Sequence, residues 1–511
     1  MDVETFDAIV IGGGPAGATA STIIAKDGHK VLLLERERFP RYHIGESLLP
    51  STVHFITALL GCHEEVLNAN FMRKEGGIYR WGNNPEPWFF EFRERYHKAN
   101  YAFQVERSKF DDILLNNAKR CGVDVREEHR VTRALFDDQN RAIGVHFRDT
   151  AGAEHTAHAT YILDASGQAG LLANRIGKRE YDEYFKHIAV YAYFVNGKRF
   201  PEPGRRGAVI SAAFQNGWIW YIPINDTLTS VGAVLHRDQA ATIRAMGEEQ
   251  ALLSYIDVCP MIKDFLEHAT RVTEGQYGTV RTIRDYSYRN RQFWAPGCAL
   301  IGDAACFIDP ILASGVHLAT YAGLLSARAV NTCLRDDAAI DETTAFDEFQ
   351  RRYRREFALF YRFLAGFYEM HHDETSYFWQ AHKLLESESV HTSEQARESF
   401  IQLASGLADS GEPLFQDGNA FVDSLRQAVR VTQNRIVDSR GNNLTPAEQQ
   451  MVDDHRFQLY REQNELWEFT AAQQSTQPPE DVSRHTTPIF QAGLIPTADG
   501  LAWQSPPVYV A

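Results

Sequence analysis

A short apolar strand that runs straight into glycines constrains this chain more than any other feature. Phe6-Asp7-Ala8-Ile9-Val10-Ile11 meets Gly12-Gly13-Gly14-Pro15-Ala16-Gly17 without a linker, and the spacing predicts a helix from there to about Asp27, stopped by Gly28. Lys30 to Leu34 reads as a second buried strand, and Glu35 at its end stands about 20 residues beyond the glycines. In a βαβ unit of this kind Gly12, Gly14 and Gly17 let the backbone approach a pyrophosphate. The free N–H groups and dipole of the helix N-terminus favour the anion, and Glu35 can accept hydrogen bonds from a ribose. A G-x-G-x-x-G alone says little; between a strand and a helix, with an acid closing the second strand, it is a dinucleotide fingerprint.

The chain has 511 residues, 44% apolar and 23% charged, which implies two or three structural units and excludes collagen-like, disordered and disulfide-scaffold classes. Lys plus Arg total 52 against 67 for Asp plus Glu, a net charge of −15. That sign argues against a nucleic-acid partner. The six cysteines show neither a C-x-x-C pair nor metal-ligand spacing, so free thiols in a reducing compartment are expected. No basic segment precedes the first apolar run and no stretch reaches membrane-spanning length, so the expectation is a cytoplasmic enzyme with no membrane contact. His371, His372 and Asp373, like His43, His54 and His63, lack a convincing partner set, and no metal site is expected.

Along the chain, about 45 to 101 reads as irregular and aromatic-rich, Val105 to Lys119 as a helix, and Val123 to Val145 as short strands. Tyr161 to Asp164 is a further buried strand, meeting Ala165-Ser166-Gly167. Alternation from about 185 to 275 suggests a second, inserted sheet. Cys298 to Asp303 returns to the buried-strand pattern, and Val316 to Leu334 is helical. Phe346, Phe349, Tyr353, Phe357, Phe360 and Phe367 then recur at helical spacing, a core stripe. Gln473 to Pro479 reads as a linker before an extended or loosely docked tail.

Four ordered motifs now resemble the glutathione-reductase-type FAD-binding fold, the doubly wound α/β fold of single-component aromatic hydroxylases. They are the glycine fingerprint, Arg107 in Gln104-Val105-Glu106-Arg107, Asp164-Ala165-Ser166-Gly167, and the Gly302-Asp303 pair. The resemblance covers roughly residues 5 to 335. It implies FAD as cofactor, with the ribityl chain held by Asp303 and contacts at Gly12, Gly14, Ala16, Gly17, Glu35, Arg36, Ser47, Arg107, Val131, Asp164, Gly302, Asp303, Pro310 and Gly315. The implied organisation is an FAD-binding core over 1–335, discontinuous and carrying the inserted sheet, then a helical C-terminal region with an extended tail over 336–511.

Gly217-Trp218-Ile219-Trp220-Tyr221-Ile222-Pro223 resembles the W-x-W-x-I-P signature of flavin-dependent halogenases, with both tryptophans on one strand face. The family's lysine station is matched by Lys74 in Arg73-Lys74-Glu75-Gly76-Gly77. An ammonium there can hydrogen-bond hypochlorous acid, and a neutral amine can form a chloramine; both roles stay open. In Asp309-Pro310-Ile311-Leu312-Ala313-Ser314-Gly315-Val316-His317-Leu318, the amides near Ser314 and Gly315 correspond to the family's chloride site. Tryptophan halogenases carry a glutamate two residues before the Ser/Thr of that turn, where this chain has Leu312. The phenol- and pyrrole-chlorinating branch lacks that glutamate too and shares the Ser-Gly-Val-His-Leu spelling.

The resemblance thus implies an enzyme that uses reduced FAD, O2 and chloride to chlorinate an electron-rich aromatic ring, a phenol or tyrosyl group that can be tethered to an acyl or peptidyl carrier protein. A separate reductase would supply reduced flavin. Trp218 and Trp220 would divide flavin from substrate. The Arg351-Arg352-Tyr353-Arg354-Arg355 run reads as a solvated helix face, with carrier docking as its sharper reading. The competing classes are an NAD(P)H-dependent aromatic hydroxylase or a flavin double-bond reductase of the same fold, and a non-catalytic flavin-binding protein.

Overall fold

The computed structural model describes residues 4–369 apart from breaks at 82–85, 97–98, 183–184, 215–216, 285 and 336–338, together with 393–408, 412 and 493–505. Strand β1 (Glu4–Ile11) leads through Gly12–Gly14 into helix α1 (Pro15–Lys26) and back to strand β2 (Val31–Leu34). Ala8, Ile9 and Val10 of β1 are fully buried, as a strand covered on both faces must be. It pairs in parallel with β2 on one side and with Glu154–Asp164 on the other. Asp124–Arg126 and Cys298–Leu300 extend the parallel sheet outward, and Ala142–Arg148 adds an antiparallel partner to the first half of Glu154–Asp164.

Three adjacent strands therefore end side by side in glycine turns, at Gly12, at Ser166-Gly167 and at Gly302. Gly12, Gly167 and Gly302 all take positive φ there. The crevice beyond such carboxyl ends is where open α/β sheets bind ligands. Behind it α1 packs against Arg107–Arg120 and against the helix Gly315–Leu334. At Gly323 that last helix comes so close that a Cβ would stand 2.7 Å from the Ala16 carbonyl oxygen.

A second eight-stranded sheet is built around His187–Val195, Leu228–His236, Gly217–Pro223 and Val209–Phe214. It also recruits Gly76–Arg80 and Trp88–Glu91 from the stretch read as irregular, and that stretch holds helical turns over Ser51–Leu60 as well. The expectation of irregularity there is corrected. Gly76 and Gly77 mask the strand period, and the partner strand lies about 130 residues away, as Val209↔Gly77 pairing shows. The sheet separates two apolar clusters: Trp218 and Trp220 join the core shared with the first sheet, while Ile219 and Tyr221 pack with Leu252 and Ile256 on the far side.

Glu342–Glu369 lies along Gly315–Leu334 and buries Phe346, Phe349, Tyr353, Phe357 and Phe360, the expected stripe; the Phe367 side chain is outside the described residues. The arginine run is not one solvated face. Arg351, Arg354 and Arg355 are exposed, but Tyr353 is fully buried and Arg352 is buried on Glu348 and the Leu494 carbonyl, because one helical turn carries the run through the core side. Residues 493–505 are firmly docked rather than loose. Trp503 is buried and its backbone N–H donates to Thr332 Oγ1, while the Arg328 guanidinium donates to Gly500 O and forms a bidentate pair with Glu412. Gln473–Pro479, His371, His372 and Asp373 lie outside the described residues. All six cysteines are unpaired. Among the described residues no helix is long and apolar enough to cross a membrane, and no group of His, Cys, Asp or Glu could hold a metal ion.

Candidate functional site

The crevice holds a cavity of about 330 Å³. Of the residues that the motifs single out for FAD, Gly12, Gly14, Ala16, Glu35, Arg36, Arg107, Val131, Asp303, Pro310 and Gly315 line it. Gly14 caps α1 with no side-chain hydrogen bond, so the helix end faces the cavity as bare backbone. Gly12 at φ +104° has the Ala165 carbonyl oxygen where a Cβ would go, 2.5 Å away; a Cβ on Gly17 would overlap the Gly12 carbonyl. Gly17 thus serves the turn by packing under it, not by facing the cavity.

Glu35 is locked in place: Gly13 N donates to Oε2 at 2.7 Å and Glu37 N donates to Oε1 at 2.8 Å, leaving each oxygen a further lone pair. Arg107 is buried and grips Asp111 through Nε at 2.7 Å and a terminal nitrogen at 2.9 Å, while its other terminal nitrogen donates to the Ile44 and Gly45 carbonyls. Burial disfavours the Asp111 carboxylate, but the guanidinium outweighs it and holds the pKa below the ordinary value. Asp303 lines the cavity and is pushed up to about 6, chiefly by burial against the pull of Arg107 and Arg179.

Besides Gly17, three residues assigned to FAD by resemblance do not line this cavity. Asp164 is fully buried beneath it and spends its carboxylate on Ser166 N at 3.0 Å and Leu172 N at 2.6 Å, shaping the turn whose Ser166, Gly167 and Leu171 do line it. Gly302 supplies the left-handed residue before Asp303. Ser47 lines instead a second cavity of about 100 Å³, which shares Ile44, Gly45, Trp220, Phe307, Pro310, Gly315 and Val316 with the first.

The residues present fit FAD. A bare helix end lies at the glycine turn, Glu35 closes β2, Asp303 lies farther along, and Tyr286 puts a buried hydroxyl without a partner on the wall. When bound, reduced FAD with dioxygen supplies the oxidising power that converts chloride to hypochlorous acid.

The tryptophans stand at the boundary. Trp220 lines both cavities and donates to Ser230 Oγ at 3.2 Å; Trp218 lines only the smaller and donates to Tyr368 Oη at 2.5 Å. Tyr368 in turn reaches the buried Asp309, which also bonds His187 Nδ1 at 2.9 Å and accepts from Ile311 N. Asp309 so anchors the turn that climbs through Ala313, at φ +57°, to the helix Gly315–Leu334. Ser314 is its buried N-cap residue, with no side-chain cap, and Gly315 faces both cavities. Leu312 is buried.

Lys74 lines neither cavity. It is buried, 2% exposed, and its Nζ donates to Leu48 O at 3.0 Å, one residue from Ser47 on the wall of the smaller cavity. Burial alone lowers its pKa from 10.5 to about 7. The residues that sequence reasoning passed over are Glu46, Tyr286 and the Tyr368–Asp309–His187 group. Glu46 carried a usable signal, a charged residue between the glycine and serine of Ile44-Gly45-Glu46-Ser47-Leu48; the other two are assembled across the fold and have none.

Against this geometry, the tryptophan halogenase family model matches residues 7–99 and 93–439. A tryptophan 2-halogenase of Chondromyces crocatus is 37% identical over 410 residues, covering 79% of this chain and 76% of that protein. The flavin-dependent halogenase armH3 of Armillaria mellea is 30% identical over 466 residues, 88% of this chain and 89% of its own. The solved structure of the myxobacterial chondrochloren halogenase CndH, described as a new variant of FAD-dependent halogenases, superposes with a TM-score of 0.72 at 46% identity. It covers 98% of this chain and 100% of its own.

Proposed function

The chain belongs to the tryptophan halogenase family and is an FAD-dependent halogenase of aromatic substrates, and from that premise we propose that it chlorinates a phenol, a tyrosyl ring presented on a carrier protein. The observation that carries the reading is Leu312, a buried apolar side chain where tryptophan halogenases carry a glutamate. A phenol, with pKa about 10, activates its own ring as it approaches phenolate and needs less help from a carboxylate. The similarity to the chondrochloren halogenase over nearly the whole chain supports the same branch. The glutathione-reductase-type description of the nucleotide-binding fold and the core and C-terminal regions divided near residue 335 belong to this reading, as do a cytoplasmic setting and a separate flavin reductase.

In this scheme the bare end of Gly315–Leu334 binds chloride through the amides near Ser314 and Gly315, where the helix dipole favours an anion. Trp220 and Trp218 keep the two cavities apart, so the aromatic ring is kept from the flavin. Lys74 receives hypochlorous acid. With a pKa of about 7 it divides near neutral pH between an ammonium that polarises the oxidant and an amine that can take its chlorine. Exposed Arg351, Arg354 and Arg355 offer positive charge to an acidic carrier on a chain of net charge −15.

A second reading, free tryptophan as substrate, is favoured by the Chondromyces relative named for that activity. A competition assay separates them: enzyme, FAD, flavin reductase and chloride are offered tyrosyl carrier protein, free tyrosine and free tryptophan together, and products are read by mass. Chlorination of the tyrosyl carrier is the expected result. Chlorotryptophan as the dominant product would overturn the phenol reading.

A further inference from the structure

Glu46 has no part in the scheme above, yet it is the one acidic residue on the wall of the smaller cavity among the described residues. It is 2% exposed. Its backbone is pinned, with Val105 N donating to Glu46 O at 2.7 Å and Leu48 N to Phe103 O at 2.9 Å. Its Oε1 accepts from Tyr193 Oη at 2.6 Å, while Oε2 makes no hydrogen bond of good geometry, with the Ser230 hydroxyl close to the carboxylate. Because Tyr193 occupies Oε1 as donor, the proton of the acid form resides on Oε2. From Tyr193 the chain of hydroxyls continues to Tyr42 Oη at 2.8 Å and from there to Tyr191 Oη at 3.5 Å. Tyr42 is only half-buried, with the Arg281 guanidinium over its ring. A hydrogen-bonded line thus runs from the wall of the smaller cavity through Tyr193 and the half-buried Tyr42 to Tyr191 on the wall of the larger one.

Oxidising chloride consumes a proton. Reduced FAD, dioxygen, chloride and one proton give oxidised FAD, hypochlorous acid and water; oxygen takes four electrons, two from the flavin and two from chloride. We propose that Glu46 is a proton-relay residue of this halogenase: its Oε2 hands one proton into the smaller cavity for each chloride oxidised, Tyr193 delivers a replacement to Oε1 as it takes one from Tyr42, and a half-turn of the carboxyl group returns the protonated oxygen to the cavity side. The O–H bond at Oε2 breaks, its electron pair stays on the carboxylate, and the proton ends on one of the two oxygen products. The proposal rests on the reading that chloride is handled beside Gly315, which faces the same cavity.

The surroundings suit the task. Burial raises the Glu46 pKa to about 7, partly offset by the hydroxyls of Tyr193 and Ser230 and the charge of Arg107, with Glu106 acting in the opposite sense. The acid is therefore available below about pH 7 and lost as pH rises through it. Burial raises the Tyr193 and Tyr42 pKa values far above 10, so these phenols pass protons on without ionising.

The test uses Glu46→Gln, Glu46→Asp and Tyr193→Phe in the full chain. In flavin-free protein, the infrared difference between wild type and Glu46→Gln should contain a protonated-carboxyl band that titrates near pH 7 and moves in Tyr193→Phe. With FAD, single-turnover hypochlorous acid formation at pH 7 should fall at least about tenfold in Glu46→Gln, lose its decline at higher pH, and recover partly in Glu46→Asp or with added imidazole. A Glu46→Gln enzyme with wild-type yield and pH profile, or a band that fails to titrate, overturns the relay. Chloride added to flavin-free wild type should raise the protonated band. If chloride leaves the band unmoved while the band still titrates and responds to Tyr193→Phe, chloride does not bind beside Gly315, and the relay falls with the reading on which it rests, while the acid character of Glu46 is kept.

Discussion

Replacing Lys74 with methionine isolates the energetic cost of a buried amine. In the unfolded chain the lysine titrates near 10.5, in the folded protein near 7, with burial as the sole cause. A base depressed in this way contributes stability that is present in full above the unfolded pKa and lost as pH falls toward the folded one. At about 1.4 kcal/mol per tenfold, the wild type carries a penalty of about 4 kcal/mol at pH 7 and about 2 kcal/mol at pH 9. Methionine fills similar space without it but leaves the Leu48 carbonyl without its donor, a cost of roughly 1–3 kcal/mol that does not vary with pH. Chemical denaturation of both proteins at pH 7 and pH 9 reads the difference, since every other titrating group cancels. The wild type should gain about 2 kcal/mol on Lys74→Met between the two pH values. A difference that stays flat would refute the reasoning, because the amine would then have kept its ordinary pKa. The same variant should bind FAD normally and chlorinate nothing, and Lys74→Arg sharpens the chemistry: it keeps a hydrogen-bonding cation but forms no chloramine under these conditions, so retained chlorination would assign the ammonium role.

Gly17→Ala should abolish FAD binding and leave little folded protein, because its Cβ would overlap the Gly12 carbonyl at the turn itself; a soluble, FAD-loaded Gly17→Ala protein in absorbance spectra would contradict that packing. Trp218→Phe combined with Trp220→Phe removes two indole N–H donors from the boundary, to Tyr368 and to Ser230, and should lower chlorination while raising hydrogen peroxide release. Wild-type chlorination in the double variant would reduce the motif to a family marker.

The nucleotide-binding half was legible because its determinants are local. One apolar strand, one glycine turn and one acid sit within 35 residues, and β1, α1, β2 and Glu35 fall where that pattern places them. The indole motif was legible for a similar reason: period two puts Trp218 and Trp220 on one face, and that face is the one turned to the shared core. What the sequence hid depends on distant pairing. Gly76–Arg80 becomes a strand only because Val209–Phe214 lies beside it, and Asp309 meets His187 and Tyr368 only after three segments converge. Asp164 acts from beneath the cavity, each of its carboxylate oxygens accepting a backbone N–H of the turn that it builds, a placement the motif alone does not give. Arg352 shows the limit of reading charge as exposure, since a helix turns a basic run through buried and solvated positions alike.

The buried Arg328 sets a schedule for synthesis. Its guanidinium sits in the helix whose other end forms the candidate halide turn, but its partners Glu412 and Gly500 follow it by 84 and 172 residues. At translation rates of about 5–20 residues per second, the second partner leaves the ribosome roughly ten to thirty seconds after the arginine. During that interval the segments that cover and neutralise the guanidinium are missing, so the charge stays with solvent until they arrive. In a chain made from its N-terminus, the contacts that Arg328 makes with Glu412 and with the hairpin over 493–505 are therefore among the last that this helix acquires.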